Sequence, residues 1–152
     1  MARTARNKPV PRNQMLPKHV IMKQELNSVL ILSAALYIRL SKTNGGKNSP
    51  NTIENQLAVL EEYIANNSYI HVYNVYIDNG YSGTNFERPA FRQMMDDIKA
   101  GKVNCILVKD LSRFGRSYYE IGNYMEKIFP FLGVRFISVT DCFDTQQDKL
   151  SD

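Results

Sequence analysis

Four short apolar runs alternate along this chain of 152 residues with three stretches of helical periodicity. This alternation limits the possible folds more than any other feature. Short runs rich in β-branched and aromatic residues are typical of strands, and strands that alternate with helices form a mostly parallel sheet covered by those helices. We therefore predict an α/β fold: a three-layer sandwich with a central sheet of four or five strands. The apolar runs occupy residues 29–41, 71–77, 103–108 and 134–139.

Each helical stretch carries its own start or stop residue. Asn51 and Glu54 have the spacing of a capping box, so the first helix is predicted to begin at Asn51. Pro89 is suited to the first turn of the second helix. The third helix is predicted over residues 117–129 and is expected to end at Pro130.

Size and charge divide the chain into a body and two ends. A chain that is 43% hydrophobic and of this length can bury one core, so we predict one domain over residues 29–145. Residues 1–28 hold six basic side chains and one acidic one, and the net charge of +4 therefore comes from this arm. We predict a disordered arm that contacts nucleic-acid backbone, or alternatively a leader without function. Residues 146–152 are predicted to begin a linker.

The metal-ligand and targeting signals are weak. Cys105 and Cys142 form no CxxC pair and the two histidines are isolated, so no structural zinc site is expected. No apolar run reaches the roughly 20 residues of a membrane span. We predict a cytoplasmic protein.

Four arginines are predicted to meet at one edge of the sheet. Arg39 closes the first apolar run, Arg113 and Arg116 follow the third, and Arg88 opens the second helix. The carboxyl ends of parallel strands share one edge, and ligands bind there. Guanidinium groups repel one another unless an anion lies between them, and they suit phosphate above other anions. The pattern predicts a phosphate site.

Ser41 is the candidate nucleophile of this site. It follows Arg39 by two residues, and fixed positive charge could stabilise an oxyanion that forms beside it. Serines also end strands without any function. His71 is predicted at the opposite end of the sheet and His19 in the arm, so a Ser-His-Asp triad is rejected.

Two further polar residues are candidates for the same edge. Gln56 lies on the apolar stripe of the first helix and should face the sheet, where it could equally be an amide satisfied by backbone. Asp78 ends the second strand, and a turn-forming role would also explain it.

Several motifs resemble the catalytic domain of the serine recombinases, the resolvase/invertase family. The resemblance covers roughly residues 34–144 and implies the resolvase-like, flavodoxin-like version of the predicted sandwich. Ser112 occupies a position at which the small resolvases have an aspartate. In this respect the chain resembles the large serine recombinases of conjugative and mobilisable transposons. The motifs, in family order, are residues 37–41, 55–56, 78–83, 86–89 and 110–116.

The resemblance implies a site-specific DNA recombinase in which Ser41 attacks the scissile phosphate and forms a 5′-phosphoserine bond. It implies no metal and no nucleotide cofactor. The expected partners are double-stranded DNA at specific recombination sites and further copies of the protein, with no membrane. The resemblance also implies that Arg39, Arg113 and Arg116 bind the phosphate. Arg88, Gln56 and Asp78 would position this cluster, and Arg88 would also bind the phosphate. Ser112 would lie near the leaving oxygen.

Two alternatives remain at this point. The chain lacks the long helix and the DNA-recognition modules that the resemblance implies, so we expect a fragment that is not competent for full recombination and that could only bind DNA or itself. A metal-dependent nuclease is the other alternative, because four aspartates lie near strand ends. These are Asp78, Asp110, Asp141 and Asp144.

Overall fold

The computed structural model describes residues 31–42, 49–81 and 87–147. The predicted basic arm at residues 1–28 lies outside these ranges, as do residues 148–152 of the predicted linker. Residues from Leu32 onward form one unit that contains the sheet and its helices. None of the helices in the described ranges is long and apolar enough to cross a membrane.

A five-stranded sheet lies at the centre of this unit. The strand order is β2-β1-β3-β4-β5, in which β5 is antiparallel to β4 and the other pairs are parallel. The predicted mostly parallel sheet of four or five strands is confirmed. The strands are β1 (Leu32–Leu40), β2 (Ile70–Asn79), β3 (Cys105–Val108), β4 (Arg135–Ser138) and β5 (Phe143–Asp144).

The side chains of β1 alternate between two hydrophobic cores. Ala35 and Tyr37 pack with one core, which contains α2 (Pro89–Lys99) and the later helices. Leu36 and its neighbours on the opposite face pack against α1 (Ile53–Ala65). Because β1 is buried on both faces, its sequence is continuously apolar rather than alternating. The helices therefore form the outer two layers of the predicted sandwich.

Strand β1 lies between β2 and β3. From β1 the chain passes through α1, on one face of the sheet, to β2 on one side. From β2 it returns through α2, on the other face, to β3 on the other side of β1. A crevice forms at the carboxyl ends of two strands where the chain direction reverses in this way, which in this sheet is between β1 and β3.

The predicted start of α1 is wrong by one residue. Thr52 is the N-cap, and its hydroxyl accepts a hydrogen bond from the backbone N–H of Asn55 at 3.2 Å. The side-chain oxygen of Asn51 instead accepts a hydrogen bond from Lys109 Nζ at 2.9 Å. A lysine that is distant in the sequence therefore binds the side-chain oxygen that local spacing had assigned to the N-cap of α1.

The prediction that Pro130 ends the third helix is also wrong. After α3 (Leu111–Phe114), helix α4 (Tyr118–Asn123) continues through a π-helical turn, Tyr124–Ile128, into α5 (Phe129–Leu132). Pro130 lies in the first turn of α5, where a missing N–H does no harm. The wide π-turn interrupts the α-helical hydrogen-bond ladder, so the proline is accommodated. Gly133, with φ +68°, ends the helix.

Candidate active site

The carboxyl-terminal edge of the sheet brings together most of the predicted site residues. Arg39 is the last residue but one of β1, where it pairs with Asp78 of β2. Ser112 and Arg113 lie in α3, directly after β3. Ser41 is half-buried immediately beyond β1. His71 pairs with Ser33 at the amino end of β1, so its predicted place at the opposite end of the sheet is confirmed.

The Arg39 guanidinium ties three segments of this edge together. It is completely buried, and Nε donates to the carbonyl oxygen of Arg113 at 3.1 Å. Its two terminal nitrogens donate to the carbonyl oxygens of Tyr81 at 2.9 Å and Ser112 at 2.6 Å. Only a planar group with five N–H donors can hold several carbonyls in this way. Arg39 thus has a structural role that the sequence did not reveal.

The carbonyl oxygen of Arg39 is a second point of convergence. It accepts hydrogen bonds from Arg113 Nη1 at 3.0 Å and from Gln56 Nε2 at 3.2 Å. The same Gln56 nitrogen donates to the carbonyl oxygen of Asn51 at 2.8 Å. Gln56 is fully buried and faces the sheet, as predicted. The strand end that precedes Ser41 is therefore held from both faces of the sheet.

Asp78 is a helix cap supplied by a strand. It is buried, and its carboxylate accepts hydrogen bonds from the backbone N–H groups of Ala90 and Phe91, both at 2.9 Å. The hydroxyl of Tyr37 donates to the same carboxylate at 2.9 Å, and burial raises the pKa of Tyr37 so that this donor keeps its proton. Asp78 lies inside β2 and fixes the start of α2, rather than forming a turn.

The Arg88 side chain binds the segment that follows β3. It is fully buried, and Nη2 donates to the carbonyl oxygen of Phe114 at 2.6 Å. Its guanidinium carbon lies 5.4 Å from the ring centre of Tyr37 and 5.0 Å from that of Phe91, a cation–π arrangement. Burial lowers the pKa of Arg88. Helix α2 begins at the next residue, so Asp78 and Arg88 act on the same helix start.

Asp110 organises α3 through one carboxylate oxygen. This oxygen accepts hydrogen bonds from the Ser112 hydroxyl and from the backbone N–H of Arg113 at 3.2 Å, and it lies 3.5 Å from Arg113 Nε. Arg113 Nη2 in turn donates to the Ser112 hydroxyl oxygen at 3.3 Å. From the sequence, the one role predicted for Asp110 by itself is that of a metal ligand. Its position three residues before Arg113 was the available indication of an N-cap.

The charges of the neighbouring arginines act on the pKa of Arg39. Burial, then the charges of Arg113 and Arg88, lower the pKa of Arg39 to about 10. Arg116 is exposed, and its charge acts in the same direction on Arg39. Each of these effects opposes the protonated form, so an anion bound here would lower the free energy of all four cations.

The aspartates near the strand ends already bind the protein's own donors. Asp141 accepts from the backbone N–H of Leu111 and from the Ser138 hydroxyl, both at 2.7 Å. Asp144 forms an ion pair with Arg135 at 2.6 Å. Among the residues that the structure describes, no three or more His, Cys, Asp or Glu side chains group closely enough to hold a metal ion. The geometry of these ranges gives the nuclease alternative no support.

Comparisons with known proteins point to one family. Residues 34–151 match the resolvase N-terminal domain family. The fold is similar to the N-terminal catalytic domain of TP901-1 integrase, with 28% identity, a TM-score of 0.68, and 78% of this chain and 85% of that chain covered. It is also similar to a resolvase family site-specific recombinase from Streptococcus pneumoniae, with 31% identity, a TM-score of 0.63, and 79% and 80% covered.

Other comparisons add only the fold or nothing. The C-terminal catalytic domain of ISC1926 TnpA, an IS607-like serine recombinase, shares the fold at 24% identity and a TM-score of 0.59, over 80% of this chain and 77% of that chain. None of the curated proteins matches the chain. The family match spans well over half of the sequence and includes every residue of the site described above. The chain therefore belongs to the resolvase family, and its α/β unit is a serine recombinase catalytic domain.

Proposed function

We propose that this domain cleaves and rejoins double-stranded DNA at specific recombination sites, with Ser41 as its nucleophile. Ser41 Oγ gives up its proton and forms a bond to the scissile phosphorus. The bond from phosphorus to the 3′ oxygen breaks, and that oxygen takes up a proton. The product is a 5′-phosphoserine and a free 3′-hydroxyl. Religation reverses the same steps, so the phosphoserine bond retains the energy of the original phosphodiester.

The proposal rests on the two side-chain hydrogen bonds that the Arg39 carbonyl oxygen accepts. Arg113 and Gln56 both bind this oxygen, and Ser41 lies two residues further along the chain. The nucleophile is thereby tied to the arginine-bearing segment after β3. A nucleophile held in one geometry beside fixed positive charge needs no histidine to stabilise the phosphorane that develops.

The four arginines would contribute to phosphate binding in different ways. Arg116 is exposed and can contact a phosphate directly. Arg39 and Arg113 are buried and donate to carbonyl or hydroxyl oxygens, so their remaining N–H groups and their charge would act on the phosphate. Arg88 is bonded to the carbonyl of Phe114 and would act mainly through its charge and through the position of that segment.

The remaining site residues would position this cluster. Gln56 would hold the strand end, and Asp78 would hold the start of α2 from which Arg88 extends. The exposed Ser112 hydroxyl lies between the Arg113 guanidinium and the Asp110 carboxylate, an arrangement suited to a hydrogen bond with the leaving oxygen. We propose that the reaction needs neither metal nor nucleotide, and that the protein acts in the cytoplasm as a dimer or tetramer.

The test is the formation of a covalent protein–DNA adduct in excess EDTA. The substrate is a supercoiled plasmid that carries the genomic DNA flanking this protein's own coding sequence. We expect an adduct that is sensitive to protease, together with a 3′-hydroxyl that a polymerase can extend. Ser41→Ala should abolish the adduct, whereas Ser68→Ala, at an exposed turn, should leave it unchanged. Cleavage that depends on Mg²⁺ and leaves no adduct would contradict the proposal.

A further inference from the structure

Lys109, the residue after β3, connects three parts of the domain. Its Nζ donates to the carbonyl oxygen of Pro50 at 3.0 Å and to Asn51 Oδ1 at 2.9 Å, both just before α1. Its carbonyl oxygen accepts hydrogen bonds from the backbone N–H and the hydroxyl of Thr140, both at 2.8 Å. Both the backbone and the side chain of Lys109 are therefore fixed.

Hydrogen bonds from Lys109 through Asn51, Gln56 and the Arg39 carbonyl to Arg113, together with the chain between Arg113 and Lys109, form a closed ring. Asn51, which binds Lys109 through its side chain, accepts a hydrogen bond at its carbonyl from Gln56 Nε2. The same Gln56 nitrogen binds the carbonyl of Arg39, and Arg113 binds that carbonyl from the other side. Arg113 follows Lys109 by four residues in the chain, which closes the ring.

We propose that Lys109 is a positioning residue for strand cleavage, acting through Asn51 and Gln56 on the Arg39 carbonyl. This inference rests on the proposed role of Ser41. A shift of the residues before α1 moves Gln56, and Gln56 holds the strand end two residues before Ser41. Misplacement of a reacting group by about 1 Å can cost roughly a hundredfold in rate.

Loss of Lys109 should affect the reaction far more than the fold. Pro50 is exposed and Asn51 is half-buried, so water can replace the ammonium group as a hydrogen-bond donor to both oxygens. Water satisfies these oxygens but does not connect them to the segment after β3. The ring is then open, while the cores on both faces of the sheet are untouched.

The first experiment compares Lys109→Met with Lys102→Met in the full chain. Lys102 lies 4.0 Å from Asp97, and its carbonyl binds Ser33 at the amino end of β1, so its loss removes an equal charge far from the ring. With the plasmid described above, we expect adduct formation by Lys109→Met to fall roughly tenfold to a hundredfold. DNA binding and the urea midpoint should match those of Lys102→Met. Lys109→Arg, which keeps the charge and the donors, should restore most of the rate.

A double-mutant cycle tests the route through Asn51. If Lys109 acts through Asn51, the variant with both Lys109→Met and Asn51→Ala should be no slower than the slower single variant. Multiplication of the two effects would overturn the proposed route. So would adduct formation by Lys109→Met at the wild-type rate, or a loss that only follows weaker DNA binding.

A spectroscopic measurement separates this inference from the proposed function. The ¹H–¹⁵N resonance of Arg39 Nε should shift, and its hydrogen should exchange faster, in Lys109→Met but not in Lys102→Met. An unchanged Arg39 resonance would contradict the connection of Lys109 to Arg39 through the ring. Wild-type protein that forms no adduct would overturn the proposed function, and with it the role of Lys109 in cleavage, while the resonance still reports whether the ring exists.

Discussion

At the scale of single residues, the buried arginines act as structural ties as well as charges. Arg39 and Arg88 are completely buried, and N–H groups of both guanidiniums donate to carbonyl oxygens of the segments around the site. A buried cation is costly unless its donors are satisfied. The domain meets this cost with backbone carbonyls, which carry no formal charge and so leave the positive potential available to a phosphate.

Replacement of Arg39 by lysine should therefore be severe although the charge is kept. A lysine ammonium cannot reach the carbonyls of Tyr81, Ser112 and Arg113 together. We expect Arg39→Lys to lower the free energy of unfolding by about 1–3 kcal/mol and to abolish adduct formation. Urea denaturation and the plasmid assay measure these effects. Arg92→Lys, on the exposed face of α2, serves as the control and should change neither.

Asp78 gives a second prediction at this scale. Its loss leaves the N–H groups of Ala90 and Phe91 and the hydroxyl of Tyr37 without their acceptor. We expect Asp78→Ala to lower the free energy of unfolding by about 3 kcal/mol. Asp97→Ala, a buried aspartate near the other end of α2 that accepts from Tyr76, should cost clearly less. Equal urea midpoints for the two variants would show that Asp78 is not a helix cap.

At the scale of elements, short irregular segments decide where α3 and α5 lie. The turn between β4 and β5 holds the start of α3, because Asp141 binds the N–H of Leu111. The π-helical turn Tyr124–Ile128 carries the chain past Pro130 into α5. Tyr124 and Phe114 pack edge to face at 5.4 Å, so this turn also supports the residues that follow Arg113.

Two glycines in neighbouring helices should respond oppositely to alanine. Gly133 ends α5 with φ +68°, a left-handed conformation, and a Cβ there would contact nothing within 4 Å. Backbone strain alone should then make Gly133→Ala destabilising by about 1 kcal/mol. Gly122, inside α4, has equally open surroundings, so Gly122→Ala should be stabilising by up to about 1 kcal/mol. Thermal unfolding of the pair measures both signs, and shifts in the same direction would contradict this account.

At the scale of the whole molecule, β2 forms one edge of the sheet. Among the described residues, no strand pairs with its outer side. Three of its apolar side chains are close to half exposed: Val72 at 46%, Tyr73 at 44% and Ile77 at 42%. A long edge strand with exposed apolar side chains and no lysine favours pairing with other chains.

A lysine on this edge should reduce aggregation. We expect Val72→Lys to raise the temperature at which light scattering begins, with a change in unfolding free energy within about 0.5 kcal/mol. Ala58→Lys, on the exposed side of α1, adds the same charge away from the edge and should have a much smaller effect. Equal shifts in the two variants would assign the effect to net charge rather than to the edge.

Local patterns were sufficient for the layout of the fold and for the gathering of the site. The alternation of apolar runs and helical stripes predicted the parallel sheet, and the shared edge of its strands brought Arg39, Gln56 and Arg113 together. Pro89 begins α2 as expected. These outcomes depend on periodicity and on the geometry of parallel strands, which neighbouring residues determine.

The hydrogen-bond partners were decided by the tertiary structure alone. Asp78 caps a helix twelve residues away, and Lys109 takes the Asn51 side chain that local spacing had assigned to the cap of α1. Pro130 is accommodated by a π-turn that no local residue pattern predicts. A polar group binds whichever partner the packed elements bring within about 3 Å, so this choice follows from the positions of whole strands and helices. The sequence by itself determined which residues meet at this edge, and the packing determined which of them touch.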